Sequence, residues 1–452
     1  MGRHGGRSLI AFQTLFLGLV FGFGPVGVMV SPPVVSAEVF LDGVSLGTVR
    51  GAPWEVGCDF GGSPLPHELV AVGRDVKGNE VARVRQLVNL PRPAAEARIL
   101  VEPGRDGAPT FARLAWHTID NAKPKRFAVT LDNQEIAVKD PERIPLPSGD
   151  LKRPHFLAAE VVFPNGVVAR TETGLGGDVA ANAATELTAV AVVVRPGQAL
   201  PPLDAMQGWF RSGGRPLPVV AVEEGHTDTV VVFDQDSAGR FRGISPPNPF
   251  SRAMTSTIPI QASKGGNRLY GLWAVPQRPQ GGGAASPGLF PMSIPLDTDV
   301  DDLRTLIFRF NFPAAAPPRQ QLANAVAAAG MQAAALNRRR AVVLIVGEAP
   351  ADASTISVTA ARAYLESLDV PLFIWTPERR VAGLSLPGWG VPDDISTDLQ
   401  LQGGVTRLQN ALAAQRIVWL AGSVLPQSVT LAPGVKEVFL ARGVVREARA
   451  SR

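Results

Sequence analysis

Acidic residues that directly follow apolar, strand-like runs are the side chains of this chain best suited to chemistry. Asp234 and Asp236 come after DTVVVF, and Glu348 comes after AVVLIV. Such runs predict strands of one parallel sheet, whose carboxyl ends meet at the same edge. Carboxylates gathered there could hold a divalent cation or work as general acid and base. Asp234, Asp236 and Glu348 are therefore weak candidates for a metal or catalytic site.

Other chemical motifs are missing or misplaced. The chain has no GxxxxGK, and no GxGxxG between a strand and a helix, so nucleotide binding has no support. The spacing of Gly43, Ser45 and Gly47 matches the GxSxG of serine hydrolases, but Asp42-Gly43 predicts a hairpin there instead of an exposed nucleophile. The histidines are too far apart to share a zinc ion: His4, His67, His117, His155 and His226.

A second acidic cluster lies in IPLDTDVDDL. Alternating acids can indicate calcium, but the segment lacks the glycine and the distal glutamate of a calcium loop. We interpret the cluster as the first turn of the following helix, where the helix dipole favours acids: Asp297, Asp299, Asp301 and Asp302.

Composition predicts a globular, multidomain chain. With 452 residues, 45% hydrophobic and 19% charged, the chain can build two to four cores. Its net charge of +4 is spread over scattered arginines without interleaved aromatic residues, so nucleic acid is not an expected partner. The single cysteine, Cys58, cannot form an internal disulfide and is predicted to be a small core residue.

The N-terminus has the pattern of an export signal. Arg3 and Arg7 precede an uncharged stretch, 8–37, with a dense apolar centre from Leu9 to Phe23. We predict that residues 1–24 are a signal peptide or a signal anchor, and that the protein is extracytoplasmic: periplasmic, secreted or envelope-anchored. The stretch is long enough for membrane anchoring, which needs about 20 apolar residues. A buried first strand or helix is the alternative.

The cleavage position is left open by the sequence. Val35-Ser36-Ala37 satisfies the small-residue rule, but a cut there would remove Val26–Val30, which looks like the first strand of the next domain. A cut near Gly22 or Gly24, or no cut at all, is equally compatible with the pattern.

Two all-β domains are predicted next. Alternating apolar and polar runs separated by turn residues indicate an immunoglobulin-like sandwich over residues 25–93, with Trp54 as a core aromatic, and a second β domain over 94–185. Residues 186–225 contain two strongly apolar runs, LTAVAVVV and LPVVAVEE, and are interpreted as a connecting β segment that docks on either neighbour.

An α/β domain is predicted over residues 226–425. Continuous apolar runs, typical of strands buried on both faces, alternate with helical stretches, which indicates an open, Rossmann-like sheet. RLYGLWAV and PLFIWT are two further strands, and LQNALAAQ with RIVWL is the expected closing helix and strand. Residues 426–452 are predicted to be a C-terminal β segment ending in a solvated tail that includes Arg442.

The α/β segment resembles the von Willebrand factor type A family. VVVFDQDSAGRF is similar to the family's first strand and loop, PLDTDVDDLRTLI and RQQLANAVAAAG to its next helices, AVVLIVGEA to its fourth strand, and YLESLDVPLFIWT to the following helix and strand. With β domains in front, the chain resembles the exported proteins of this type found in Acidobacteria.

The resemblance implies a metal-ion-dependent adhesion site (MIDAS) in which this chain departs from the family pattern. The family holds its metal with a DxSxS loop, a threonine before the long helix and an aspartate after the fourth strand. Asp234 keeps the first position, but Asp236 and Ala238 replace the serines, Gln320 stands at the threonine position, and Val346 stands at the aspartate position. We therefore predict a degenerate site, no cofactor and no catalytic residues.

These observations predict an exported, non-enzymatic protein that binds protein partners as an adhesion or scaffold module. The surfaces offered for binding are the sheet edge, the sandwich surfaces and two long loops, 275–291 with Trp273 and 377–394 with Trp389. The alternative is an exported hydrolase that uses Asp234, Asp236 and Glu348 as a carboxylate cluster. A third hypothesis is an envelope protein that binds a small ligand, for which the sequence offers no recognisable pocket.

Overall fold

The computed structural model describes most of the chain, and strands dominate it. The described residues are 9–14, 18–91, 95–103, 109–118, 123–131, 134–138, 140–146, 155–164, 168–175, 187–234, 266–276, 290–298, 320–379 and 385–443, with 237, 240, 241, 243, 244, 303, 307 and 310. The chain forms two compact units, one made of residues 1–91, 189–420 and 424–452 and the other of residues 92–188 and 421–423.

The first unit begins with a β-sandwich, as predicted. Its sheets have the antiparallel orders β1-β2-β5 and β4-β3-β6-β7. Between them lies a core that includes Val26, Val39, Cys58 and Leu69, and burial raises the pKa of the Cys58 thiol to about 11. The strands are β1 Ile10–Phe12, β2 Phe23–Val30, β3 Ser36–Leu41, β4 Val44–Val49, β5 Glu55–Asp59, β6 His67–Arg74 and β7 Glu80–Val88.

The Asp42-Gly43 hairpin is confirmed. Leu41 pairs with Val44 across the turn, and both turn residues have positive φ, 50° for Asp42 and 81° for Gly43. A two-residue turn of this kind matches the right-handed twist of the strands it joins. Ser45 therefore lies in a strand, where its hydroxyl donates to Glu38 Oε1 at 2.9 Å, and not on a nucleophile turn.

The sandwich starts earlier than the predicted boundary at residue 25. Ile10 and Phe12 of β1 are buried in its core, although they lie within the segment predicted as an export signal. Ala37, the last residue of one predicted cleavage site, is buried inside β3. Export stays a prediction. None of the helices among the described residues combines the length and the apolar character needed to cross a bilayer.

The second unit is another β-sandwich. Its sheets have the orders β12-β9-β8 and β11-β10-β13-β14, and Leu114, Val129, Ile144 and Leu157 are fully buried between them. This matches the predicted second β domain. The strands are β8 Ala95–Pro103, β9 Pro109–Thr118, β10 Arg126–Leu131, β11 Gln134–Ile136, β12 Ile144–Pro145, β13 His155–Val162 and β14 Val168–Leu175.

A small β domain is built from both sides of the α/β segment. Its sheets have the orders β18-β25-β15-β27 and β17-β16-β26. Short 3₁₀ helices span Leu203–Met206, Pro426–Ser428 and Ala441–Gly443. The strands are β15 Leu187–Val194, β16 Phe210–Ser212, β17 Arg215–Leu217, β18 Val219–Glu223, β25 Gln415–Ala421, β26 Val429–Leu431 and β27 Val438–Leu440.

Two predicted boundaries are therefore wrong. RIVWL does not close the α/β sheet, because β25 pairs antiparallel with β18. The segments 186–225 and 426–452 are not separate, because Val190, Phe210, Val418 and Val438 share one core. The prediction failed because β15 is buried on both faces, with Val190 in one core and Ala191 and Val193 in another. Its continuous apolar run therefore does not show which sheet the strand joins.

The inserted α/β domain has one sheet of order β21-β20-β19-β22-β23-β24 in which β21 is the antiparallel edge and the other strands are parallel. The strands are β19 Thr227–Phe233, β20 Arg268–Trp273, β21 Leu296–Asp297, β22 Arg339–Ile345, β23 Leu372–Thr376 and β24 Asp393–Asp394. The helices are α1 Leu322–Ala334, α2 Val358–Ser367 and α3 Asp398–Ala413.

Both faces of this sheet are covered. Val230 and Val232 pack with α1 and α2 on one face, whereas Val231 and Phe233 pack with α3 on the other. Successive side chains of a strand point to opposite faces, which explains the uninterrupted apolar run. Asp297 belongs to a strand and not to a helical first turn, which corrects the prediction; Asp299, Asp301 and Asp302 lie outside the described residues.

Charged residues are buried at the amino end of the sheet. Asp228 pairs in register with Arg268 on β20 and with Arg340 on β22. Beyond them, Arg442 Nε lies 3.2 Å from Oδ1 of the fully buried Asp369. Asp228, Arg340 and Asp369 are buried, whereas Arg268 and Arg442 are half-buried, and we refer to the five residues as the buried charge row. Arg442 is thus part of an interior ion pair and not of a solvated tail as predicted.

Candidate functional site

Asp234 lies at the carboxyl edge of the sheet, directly after β19, and is fully buried. Its Oδ1 accepts a hydrogen bond from Gln320 Nε2 at 2.7 Å, and its Oδ2 accepts one from the backbone N–H of Gly347 at 3.1 Å. A carboxylate oxygen can only accept, so the Gln320 amide must present its NH₂ group. Among the described residues, these two N–H groups hold the carboxylate.

The loop after β22 positions Gln320. Asp352 accepts from the backbone N–H groups of Leu322 at 2.9 Å and Ala323 at 3.2 Å, in the first turn of α1. These N–H groups have no partner within the helix, and a carboxylate there also complements the helix dipole. Ala353 N–H donates to Gln320 O at 2.8 Å. The start of α1 is thus fixed to this loop, and Gln320 with it.

Gly347 allows two carboxylates to approach the sheet edge. A Cβ at this position would lie 3.3 Å from Asp234 Oδ2 and 3.1 Å from Glu378 Oε1, which is tighter than ordinary van der Waals contact. Glu378 follows β23 and accepts the backbone N–H of Glu348 at 3.2 Å. The absence of a side chain at Gly347 therefore brings the two acids close to one backbone position.

An arginine neutralises part of this acidic edge. Arg240 Nη1 forms an ion pair with Glu378 Oε1. The Glu378 side chain is 11% exposed, whereas that of Arg240 is 64% exposed. The guanidinium thus covers the acid and presents positive charge to solvent.

Ser237, in the loop after β19, has a structural role. Its hydroxyl is buried and donates to Asp234 O at 2.9 Å, with Ile345 O at 3.4 Å. Both acceptors are main-chain oxygens at the ends of β19 and β22. The hydroxyl therefore ties the loop to the strand ends.

The structure brings together some of the predicted site residues. Asp234 and Gln320 are in contact, whereas Glu348 is exposed and contributes a backbone N–H to Glu378. Asp236 lies outside the described residues. Sequence reasoning missed Gly347, Glu378, Arg240 and Ser237, of which Glu378 had a usable signal because it follows PLFIWT by two residues.

The described groups that meet the Asp234 carboxylate are hydrogen-bond donors and not oxygen ligands. A hard cation needs several converging oxygens, but the side chain and backbone that meet the Asp234 carboxylate present N–H groups. In the part of the chain that the structure describes, no three His, Cys, Asp or Glu side chains are grouped to hold a metal. Asp234 instead belongs to a hydrogen-bonded structural network.

Replacing Gln320 with glutamate tests how much its hydrogen bond to Asp234 contributes to stability. Gln320→Glu removes the donor to Asp234 Oδ1 and places a second carboxylate beside it, so we expect the free energy of unfolding to fall by about 2 kcal/mol at pH 8. Urea denaturation measures the loss. Gln332→Glu, inside α1, is the control, and an equal loss in it would contradict the role assigned to Gln320.

No family model matches the chain, and no curated protein matches it. Solved structures with partial similarity include the fibronectin(III)-like modules of Clostridium thermocellum CbhA, with 13% identity over 37% of this chain and 94% of that chain, and a TM-score of 0.15. The central fibronectin-III array of RIM-binding protein has 12% identity over 45% and 81% of the two chains, with a TM-score of 0.22.

The β-glucuronidase of Parabacteroides merdae has 15% identity over 37% of this chain, with a TM-score of 0.17, and the chain spans only 25% of its length. Scores this low do not extend the fold assignment beyond the β-sandwiches that the strand pairing itself defines.

Proposed function

We propose that this chain is an extracytoplasmic, non-enzymatic protein that binds protein partners, and that its α/β domain is of the von Willebrand factor A type with an inactive metal site. The sheet supports the proposal through its strand order. β19, which carries the DQDSA loop, lies in the centre of the sheet, and its end is adjacent to the end of β22 and to the start of α1. The resemblance requires these three places to meet.

The contact between Gln320 and Asp234 is the observation that carries the proposal. In the family pattern the two positions supply oxygen ligands to a cation, whereas here one donates an N–H to the other at 2.7 Å. Such a pair needs no metal, because the Gln320 amide gives the buried carboxylate a hydrogen-bond donor. Partner recognition must then use other groups of the sheet edge.

Exposed groups at the same edge are available for a partner. Arg240 and Glu348 are exposed, and they are connected through Glu378. The loop aromatics are less suited than predicted: Trp389 is 3% exposed and packs in the core with Leu386. The binding surface is therefore centred on charged groups and not on Trp389.

The hydrolase alternative receives no support from the same geometry. Asp234 is fully buried and bonded to N–H donors, while the carboxylate of Glu348 is exposed. A general acid and base must both reach a substrate within hydrogen-bond distance. This arrangement favours the non-enzymatic proposal.

Calorimetric titration of the full chain with Mg²⁺, Mn²⁺ and Ca²⁺ tests the metal-free site. We expect no saturable heat with any of the three ions, because Asp234 is engaged by Gln320 and Gly347. The Asp234→Ala variant is titrated in parallel. Saturable binding to the wild type that disappears in this variant would restore a working metal site and overturn the proposal.

A further inference from the structure

We propose that the first sandwich is an acceptor for an apolar, extended strand, and that the chain's own N-terminal segment is its ligand. The segment, which we call the donor segment, consists of residues 9–14 and 18–22. It is the stretch whose composition predicts an export signal, so this proposal concerns the chain that keeps the segment uncleaved. Its backbone and side chains are bound as a peptide would be in strand addition, in which main-chain hydrogen bonds give affinity and alternate side chains fill pockets.

The first piece of the donor segment completes a sheet. Ile10 pairs with Val30 and Phe12 with Val28, so β1 adds to β2 as an antiparallel edge strand. The pairing continues beyond the strand, since Ser31 N–H donates to Leu9 O at 2.9 Å. An edge strand leaves unpaired main-chain groups that readily accept another strand, and here the chain itself supplies that strand.

Side chains of this piece fill the sandwich core. Ile10 is 1% exposed and Phe12 is 8% exposed, and both pack in the cluster that contains Val26 and Leu69. Ala11, between them, is on the opposite face of the sheet and is half-buried. The alternation matches the pattern of a strand with one buried face. Removing this piece would leave a gap the size of two large apolar side chains.

The second piece of the donor segment is held by Asn89. Asn89 Oδ1 accepts Val20 N–H at 2.6 Å, and Asn89 Nδ2 donates to Val20 O at 2.7 Å and to Leu65 O at 2.8 Å. The side-chain amide thus pairs with both main-chain groups of Val20, as a neighbouring strand would. Asn89 is buried and has a φ of 58°, a left-handed conformation that asparagine tolerates better than most residues.

The same asparagine connects the donor segment to the α/β domain. Tyr364 of α2 is fully buried, and its hydroxyl donates to Asn89 O at 2.8 Å. Leu19 and Phe21 pack against the core cluster that includes Tyr364. The donor segment therefore contacts both the sandwich and the α/β domain, so its loss would weaken both.

A synthetic peptide tests the acceptor. The chain without residues 1–14 should have a lower urea midpoint than the full chain, and the peptide Ser8–Thr14 should raise that midpoint saturably. A peptide with Ile10→Asp and Phe12→Asp is the matched control and should have no effect, because its side chains cannot enter the apolar core. An unchanged midpoint in the truncated chain, or equal effects of the two peptides, would overturn the proposal.

A cross-link in the full chain covers the case in which the truncated chain does not fold. Ala11 and Met29 are directly paired, so Ala11→Cys with Met29→Cys should form a disulfide in a Cys58→Ala background. Ala11→Cys with Val44→Cys is the control pair, because Val44 pairs with Leu41 and not with β1. Equal thiol reactivity in the two variants would show that β1 is not seated on β2 and would overturn the proposal.

Discussion

Raising the pH from 5 to 8.5 should lower the free energy of unfolding of this protein by about 4 kcal/mol. The cause is the buried charge row. Burial raises the pKa of Asp369 to about 7 and that of Asp228 to about 6, and nearby arginines only partly oppose the shift. Arg442 forms an ion pair with Asp369, but among the described residues neither carboxylate oxygen has a hydrogen-bond partner, so the ion pair compensates only part of the cost of burying the ionised form.

The direction follows from proton binding in the two states. Between pH 4 and each raised pKa the folded protein keeps a proton that the unfolded chain has already lost, so stability is present at low pH and falls as the pH rises. Asp369 accounts for about 3 kcal/mol of the loss and Asp228 for about 1. The lowered carboxyl pKa values of Asp42, Asp75 and Glu80 act below this window.

Urea denaturation at several pH values checks this expectation. Asp369→Asn should remove most of the pH dependence, because asparagine keeps the shape without the charge. Asp204→Asn, at an exposed position, should leave it unchanged. A wild-type midpoint that stays constant from pH 5 to 8.5, or an unaltered slope in Asp369→Asn, would contradict the assignment to the buried row.

Gly271→Val should cost at least about 3 kcal/mol of stability. Gly271 lies in the middle of β20, and a Cβ there would lie 2.5 to 2.8 Å from three ring atoms of Phe310. Phe310 cannot move away easily, since it is 4% exposed and its ring packs edge-on against Phe233. The ring occupies the space that a side chain at position 271 would need.

Thermal unfolding of three variants separates this clash from a general effect of losing glycine. Gly403→Ala is the control: it lies inside α3, its Cβ would meet only Arg407 Nη1 at 3.5 Å, and alanine should raise helix stability by up to about 1 kcal/mol. Phe310→Ala in the Gly271→Val background should recover part of the loss. If Gly271→Val is as stable as the wild type, the close packing of Phe310 on β20 is contradicted.

Elements of the fold are predictable from the sequence where neighbouring residues determine the backbone conformation or the apolar pattern. Asp42-Gly43 gives its hairpin because both residues tolerate positive φ. DTVVVF and AVVLIV give central strands because both faces of the sheet are covered. β1 was predicted only as the alternative to an export signal, because an uncharged apolar run fits an export signal and an edge strand equally well.

Long-range pairing sets the limit for the rest of the fold. RIVWL has the composition of a buried strand, but its residues do not determine whether it pairs with β23 or with β18. In the site, the family pattern predicted that Asp234 and Gln320 lie together. Arg240 and Glu378 form an ion pair between two loops that are far apart in sequence, and no local pattern predicts such a contact. The edge of the sheet was predictable, and the identity of its ion pair was not.

The strand pairing of the small β domain also has a consequence for the order in which the chain folds. Val192 pairs with Leu440, and the whole α/β domain lies between them in sequence. During synthesis β15 emerges long before β27, so its apolar face stays uncovered until the residues that follow the α/β domain have left the ribosome. Folding the inserted domain first brings the two flanking segments close together and reduces the entropic cost of that late closure. We therefore expect a nascent-chain intermediate in which the α/β domain is folded and β15 is not yet paired with β27.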